Sequence, residues 1–319
     1  MTRAGVSSLI EGNRVGGAEL SAKIIDGLGV ARALRAEIRA RALELARCGV
    51  TPGLSVLLVG SDPASKLYVR NKTRACTDVG IRSQIIDFPD TADLAELIEQ
   101  IEALNADSSV HGILVQLPLP RQIPLRPVLE AIAAEKDVDG FNLYNVGGLV
   151  IGDTIFPPCT PYGVLKLLQF ENIPVKGQNA TVVGASNIVG KPMALMFLEQ
   201  EATVAVCHVR TRDLGEYTTR ADILVVAAGH PNLIVANMVR PGAVVVDVGI
   251  NRGSDGRFVG DVDFEAVRQK ASYITPVPGG VGPMTVTMLL ENTVVAAERL
   301  LAGPRASAAR LLPAVEEPV

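Results

Sequence analysis

VVGASNIVGKP, residues 182–192, joins the end of an apolar run to the start of a helical one. The valines ahead of Gly184 read as a buried strand, and the chain enters a helix near Ile188 or Val189. A dinucleotide-binding turn needs that context. Glycine permits the tight turn and a close backbone approach, and the helix N-terminus receives a pyrophosphate. The pattern is GxSxxxG rather than GxGxxG, with Gly184, Ala185, Ser186 and Ile188 in the turn. A plain α/β turn is the competing reading, so the surroundings decide.

Those surroundings repeat one grammar. NATVVGAS (179–186), ATVAVCH (202–208), ADILVVAAG (221–229) and GAVVVDVGI (242–250) are near-continuous apolar runs, as in a parallel sheet buried on both faces. Upstream, a helical pattern over 26–48 precedes LSVLLVG (54–60), SQIIDF (83–88) and GILVQL (112–117). A helix over 91–104, with Thr91 as its cap, lies between the last two. The alternation predicts an α/β protein of two α/β domains flanking a cleft, the second of Rossmann type. We expect a disordered extension over 1–22, a first domain over 23–158, and a dinucleotide domain over 159–285. PPCTPYGVLKLLQF (157–170) supplies a linking helix, and NRGSDGRFVGDV (251–262) a hairpin. The helical pattern from Met284 gives a terminal helix, counted from 286 to 303, that completes the first domain. A loose tail follows over 304–319.

Composition bounds the function. At 319 residues with 48% apolar and 20% charged side chains, the chain has ample material for two cores. A net charge of -4 offers no basic footprint for nucleic acid. No apolar run approaches a membrane span, so no membrane partner is expected. Cys48, Cys76, Cys159 and Cys207 are scattered without a CxxC, and His111, His208 and His230 are equally dispersed. Neither a disulfide framework nor a metal site is expected, and the chain reads as cytoplasmic and reduced.

Several stretches carry chemistry. In SKLYVRNK (65–72), Tyr68 and Lys72 stand four apart on a predicted helix, with Ser65 and Cys76 above and below them. Asp62 and Pro63 supply its start and Gly80 its end. Taken alone, Lys72 reads as a solvated surface charge, since lysines on helices are usually surface residues. Gln116 falls at a strand end, and KDVDG (136–140) offers Asp137 and Asp139, either of which can grip an aminopyrimidine edge through paired hydrogen bonds. The strand after the glycine turn ends in CHVRTRD, where Arg210 and Arg212 precede Asp213. Arginines at that position favour NADP over NAD. GHPNLI (229–234), DVGINR (247–252) and PVPGGVGPMT (276–285) fall at predicted carboxyl ends of strands, the rim where open α/β sheets bind ligands. This draws Gly229 and Ile250 toward the cofactor.

SKLYVRNK, GILVQLPLP, KDVDGFN, PPCTPYG, VVGASNIVGKP, VVVDVGIN and YITPVPGGVGPMT occur together in an order that resembles one family. It is the bifunctional methylenetetrahydrofolate dehydrogenase/methenyltetrahydrofolate cyclohydrolase family, and the similarity runs from about Ala22 to Leu301. The resemblance implies Lys72 as catalytic lysine, Gln116 as its support, and Tyr68 stacked on the folate p-aminobenzoyl ring. It implies Asp139 as the pterin anchor and Ser65 in the same site. Pro278, Gly279, Gly280 and Thr285 would border folate and nicotinamide. Gly184, Ser186 and Ile188 match the NADP turn, with Cys207, His208 and Val209 near the adenosine. It also implies tetrahydrofolate derivatives as partners and a homodimer formed through the Rossmann domain. The chain departs from some relatives at Ala185, where they carry a 2′-phosphate arginine, and at Val209, where they carry serine. The phosphate would then fall to Arg210 or Arg212.

The implied reaction is hydride transfer from 5,10-methylenetetrahydrofolate to NADP+, then hydrolysis to 10-formyltetrahydrofolate, within one-carbon metabolism and purine biosynthesis. Two other readings stay open: a dehydrogenase-only enzyme of the same fold, and a non-catalytic Rossmann-type nucleotide sensor.

Overall fold

The computed structural model describes residues 21–253 and 256–303. The expected tail, and the expected extension up to residue 20, lie outside the described residues. The extension's last two residues are described, and they are attached to the fold. The Ala22 N–H donates to the Arg268 carbonyl at 2.6 Å, and the Arg268 Nε donates to the Ser21 hydroxyl at 3.1 Å.

Two parallel sheets carry the fold. The first domain holds β2 (Gly53–Val59), β3 (Arg82–Phe88) and β4 (Gly112–Val115), in the spatial order β3-β2-β4. Central β2 is buried at every residue, while edge strand β3 is mostly not. Around them lie α1 (Gly27–Arg47), α2 (Pro63–Val79) and α3 (Leu94–Ala106), with α4 (Leu125–Ala131) and α5 (Leu143–Ile151) beyond β4. Helix α3 begins later than expected. Its cap is Asp93, whose carboxylate accepts from the Glu96 N–H at 3.0 Å while Glu96 accepts from the Asp93 N–H. This reciprocal capping box satisfies two orphan donors, which Thr91 is two residues too early to do.

The linking helix α6 (Cys159–Phe170) leads into β5 (Asn179–Val183), α7 (Gly190–Glu199), β6 (Thr203–Cys207), α8 (Leu214–Thr218), β7 (Ile223–Val226) and β8 (Val244–Asp247). The expected hairpin is β9 (Asn251–Arg252) paired antiparallel with β10 (Phe258–Val259). Then come α9 (Phe264–Val267), β11 (Tyr273–Ile274) and the terminal helix α10 (Val281–Ala302). Helix α10 begins before Met284 because Pro283 falls in its first turn, where a missing N–H costs nothing.

One strand crosses the expected domain boundary. β1 (Lys23–Ile24) pairs parallel with β11 and edges the second sheet, whose order is β1-β11-β8-β7-β5-β6. The dinucleotide domain therefore recruits the start of the segment assigned to the first. In register, Val183 pairs with both Cys207 and Val226, and Val226 pairs with Asp247. The loops leaving these strands thus open on one rim.

Helix α10 packs on α1 and α6. Arg41 of α1 donates to Glu291 and forms a fork with Glu298, each contact 2.6–2.8 Å. One apolar core runs from Val56 of β2 through Leu165 of α6 and Met288 of α10 to Val182 of β5. The two domains share it.

Candidate active site

Helix α2 presents the lysine. Asp62 caps it, accepting from the Ser65 N–H at 2.7 Å, and Gly80 closes it in the left-handed region at φ 85°. In that frame Ser65 is buried, Lys72 is half-buried one turn beyond Tyr68, and Tyr68 is 45% exposed, leaving its ring free to take a ligand. Gln116 follows β4 directly. Its N–H donates to the Leu57 carbonyl at 2.9 Å, and its Nε2 donates to the Leu117 carbonyl at 2.7 Å. With the amide nitrogen spoken for, Oε1 accepts from Lys72 Nζ at 3.1 Å. The side chain thus aims the ammonium group without neutralising it.

The two loop aspartates divide the work between them. Asp137 is buried. It accepts from the Gly140 N–H at 3.2 Å, the Asn142 N–H at 2.7 Å and Asn145 Nδ2 at 2.9 Å. Burial pushes its carboxyl up to about 6, with the Asn145 hydrogen bond opposing. It shapes the loop. Asp139 lies beside Lys72 and Cys159. Burial raises its carboxyl above the ordinary value, and the Lys72 charge and a Cys159 hydrogen bond pull it back. The loop is clasped from behind by Asn292 of α10, which donates to the Val138 carbonyl at 2.9 Å and the Pro157 carbonyl at 3.3 Å. Sequence reading missed Asn292. A lone amide inside the apolar run MLLENTVV was the available signal.

The linking helix meets the terminal helix through hydroxyls. Thr160 and Thr285 lie 3.0 Å apart, and Pro278, Gly279 and Gly280 immediately precede the helix that carries Thr285. The Leu28 N–H at the start of α1 donates to the Gly279 carbonyl at 3.1 Å. A Cβ on Gly27 would collide with the Gly280 carbonyl, so glycine is required for this approach. Ile250 lies against Gly282 and is half-exposed.

The glycine turn has the expected build. Gly184 takes φ 118° against the Ala227 carbonyl, and a Cβ on Gly190 would overlap the Gly184 carbonyl. Ser186 Oγ accepts from the Val189 N–H at 3.1 Å and the Gly190 N–H at 3.4 Å, holding the first helical donors of α7 in place. Ala185 leaves the turn without a cation of its own. After β6, the His208 N–H donates to Thr211 at 2.9 Å, and His208 Nδ1 accepts from the Arg210 N–H at 3.1 Å. Val209 is 96% exposed, and Arg210 and Arg212 extend from the same tight loop. The fit to a dinucleotide is therefore steric at the turn and cationic at the next strand end.

Two α/β domains, one with a dinucleotide turn and the other offering a lysine, an amide and a carboxylate, define the class of two-domain nucleotide-dependent dehydrogenases. Residues 25–139 match the catalytic domain of tetrahydrofolate dehydrogenase/cyclohydrolase, and residues 158–301 match the NAD(P)-binding domain of the same enzymes. The chain belongs to the tetrahydrofolate dehydrogenase/cyclohydrolase family. It is 62% identical over 280 residues to the bifunctional protein FolD of Nitrosospira multiformis, covering 88% of this chain and 97% of that one. Among solved structures, the bifunctional FolD dehydrogenase/cyclohydrolase of Campylobacter jejuni superposes with a TM-score of 0.86 at 50% identity, covering 87% of this chain and 99% of that one. The Trypanosoma brucei FolD, solved with NADP cofactor and an inhibitor, gives 0.85 at 37% identity, covering 89% and 99%.

Proposed function

We infer that the protein oxidises 5,10-methylenetetrahydrofolate to 5,10-methenyltetrahydrofolate with NADP+ and hydrolyses that product to 10-formyltetrahydrofolate. The observation that carries this reading is Lys72, held by Gln116 beside Asp139, in a chain whose second domain has the glycine turn of a dinucleotide site. Bound NADP+ supplies the hydride acceptor. The protein's part in that step is positioning: Asp139 and Tyr68 hold the folate, and the Pro278–Gly280 loop and Thr285 set its distance from the rim.

Hydrolysis falls to Lys72. Water adds to the methenyl carbon as the neutral lysine takes a proton from it. Ring opening then breaks the carbon–N5 bond as N5 gains a proton and the new hydroxyl loses one. One proton leaves overall. Incubating the protein with methylenetetrahydrofolate and NADP+ while following both products tests the reading. Methenyltetrahydrofolate that decays no faster with protein than without it would leave a dehydrogenase only. NADP binding without folate binding would leave a nucleotide sensor.

Among the described residues, no helix is long and apolar enough to cross a membrane, which suits a cytoplasmic enzyme supplying one-carbon units for purine biosynthesis. The cofactor's 2′-phosphate falls to Arg210 or Arg212. Replacing both with serine should weaken NADP+ by about tenfold or more per lost charge-assisted bond while NAD+ changes little. Equal effects on the two cofactors, measured by initial rates, would move the phosphate elsewhere. A two-fold dimer through the second domain is expected, with the β9–β10 hairpin near the interface. Light scattering should give twice the chain mass, and a monomer at working concentration would sink it.

A further inference from the structure

Two carboxylates buried beneath the rim have no part in the chemistry above. Asp247 ends β8 and Asp261 follows β10, and both are almost fully buried. Asp261 Oδ2 accepts from the Ala228 N–H at 2.7 Å and the Gly229 N–H at 2.8 Å, while Oδ1 accepts from Asn251 Nδ2 at 2.7 Å. Asp247 in turn accepts from the N–H groups of Gly249, Asp261 and Val262 at 2.9–3.0 Å. Each carboxylate also presses on a glycine from the other's segment. A Cβ on Gly249 would overlap the Asp261 carboxylate, and one on Gly260 would overlap that of Asp247. The pattern DVG…GD is therefore one reciprocal unit.

We propose that Asp261, braced by Asp247, is a positioning residue for the dinucleotide: it ties the loop after β7 to the loop after β8 and so sets where Gly229 and Ile250 meet the cofactor. The inference rests on the functional reading above, which puts the cofactor on this rim. The geometry favours it over a role confined to folding. Among the described residues, the carboxylate caps no helix, and its partners are two backbone N–H groups and one amide. Its three bonds all converge on the two loops that leave adjacent strands at the ligand-binding rim. A buried carboxylate accepting two backbone N–H groups fixes their direction far more tightly than water would. A neutral amide can satisfy only one side. With its oxygen on the Ala228 and Gly229 N–H groups its nitrogen meets Asn251 Nδ2 donor to donor, and turned round it opposes the two backbone N–H groups instead.

The cyclohydrolase step provides the control, since it uses Lys72 and no hydride acceptor. Asp261→Asn should weaken NADP+ binding about tenfold, measured by quenching or calorimetry on the full chain. It should raise the NADP+ KM similarly and leave the KM for folate within twofold. Hydrolysis of methenyltetrahydrofolate without dinucleotide should also stay within twofold. Asn251→Ala removes one donor and leaves the carboxylate, so NADP+ binding should weaken about threefold with the same split. If Asp261→Asn does not fold, Asn251→Ala decides alone. Unchanged NADP+ affinity, or parallel loss of both activities with a lowered Tm, would overturn the positioning role. A wild-type protein that binds NADP+ but oxidises no folate would defeat the functional reading instead, and the binding arm would still score the carboxylate pair.

Discussion

Lys72→Met is expected to lose cyclohydrolase activity by about 10²–10⁴-fold, the usual worth of general acid–base assistance, while dehydrogenase activity falls less and methenyltetrahydrofolate accumulates. Methionine keeps the length and apolar stem of lysine and removes the base. Hydride transfer places no obligatory proton on Lys72, whereas adding water and opening the ring do. The residual effect on oxidation should come through folate positioning, because Gln116 Oε1 loses the Nζ donor it holds at 3.1 Å. That amide is locked by its Nε2 bond to Leu117, so it cannot turn to find another partner.

Lys72→Arg separates base from charge. It keeps the cation but cannot deprotonate in the working range. Both variants should therefore lose the cyclohydrolase alike, even if their dehydrogenase activities differ. Product analysis by absorbance of the methenyl form checks this directly. Near-normal hydrolysis in either variant would show that Lys72 only shapes the folate pocket beside Tyr68.

Features read correctly from sequence depend on neighbours along the chain. Asp62, Pro63 and Gly80 bracket Lys72 within one helix, so its face was legible from spacing alone. Gly184 and Gly190 likewise sit six apart at a strand-to-helix turn, where the close approach of Gly190 to the Gly184 carbonyl follows from local geometry. What escaped notice depends on distant partners. β1 pairs with Tyr273 and Ile274 across the whole chain, so its place in the second sheet leaves no local trace. Asn292 finds the Val138 carbonyl 154 residues away. Asp261 was hidden because its donors come from two other loops, although DVG and GD each advertised a carboxylate beside a glycine. The Thr91 cap failed for a local reason. Both Thr91 and Asp93 are acceptable caps, and only Glu96 at the right spacing selects Asp93.

Asp139→Ala should cripple both activities together, because both act on the same bound pterin. Each lost hydrogen bond from the carboxylate to the pterin costs about 1.5–3 kcal/mol, which should appear as a raised folate KM common to both reactions. NADP+ binding should not change, since the charge and hydrogen bond acting on Asp139 come from Lys72 and Cys159 rather than from the glycine turn. Stability should move the other way. The fold raises the Asp139 carboxyl, so this group's contribution is fully present below the unfolded carboxylate value. It is lost as pH rises through the folded one. Above that range the carboxyl is a net burden on the folded protein, partly relieved by the Lys72 charge. Asp139→Asn removes that burden with little change in shape, so its Tm there should equal or exceed that of the wild type while both activities fall. Such a trade is what a site shaped for a ligand rather than for the empty fold predicts. A variant that keeps one activity intact, or one whose loss of activity tracks a lower Tm, would remove Asp139 from the anchoring role. It would then pass to Asp137, whose carboxylate is already spent on Gly140, Asn142 and Asn145.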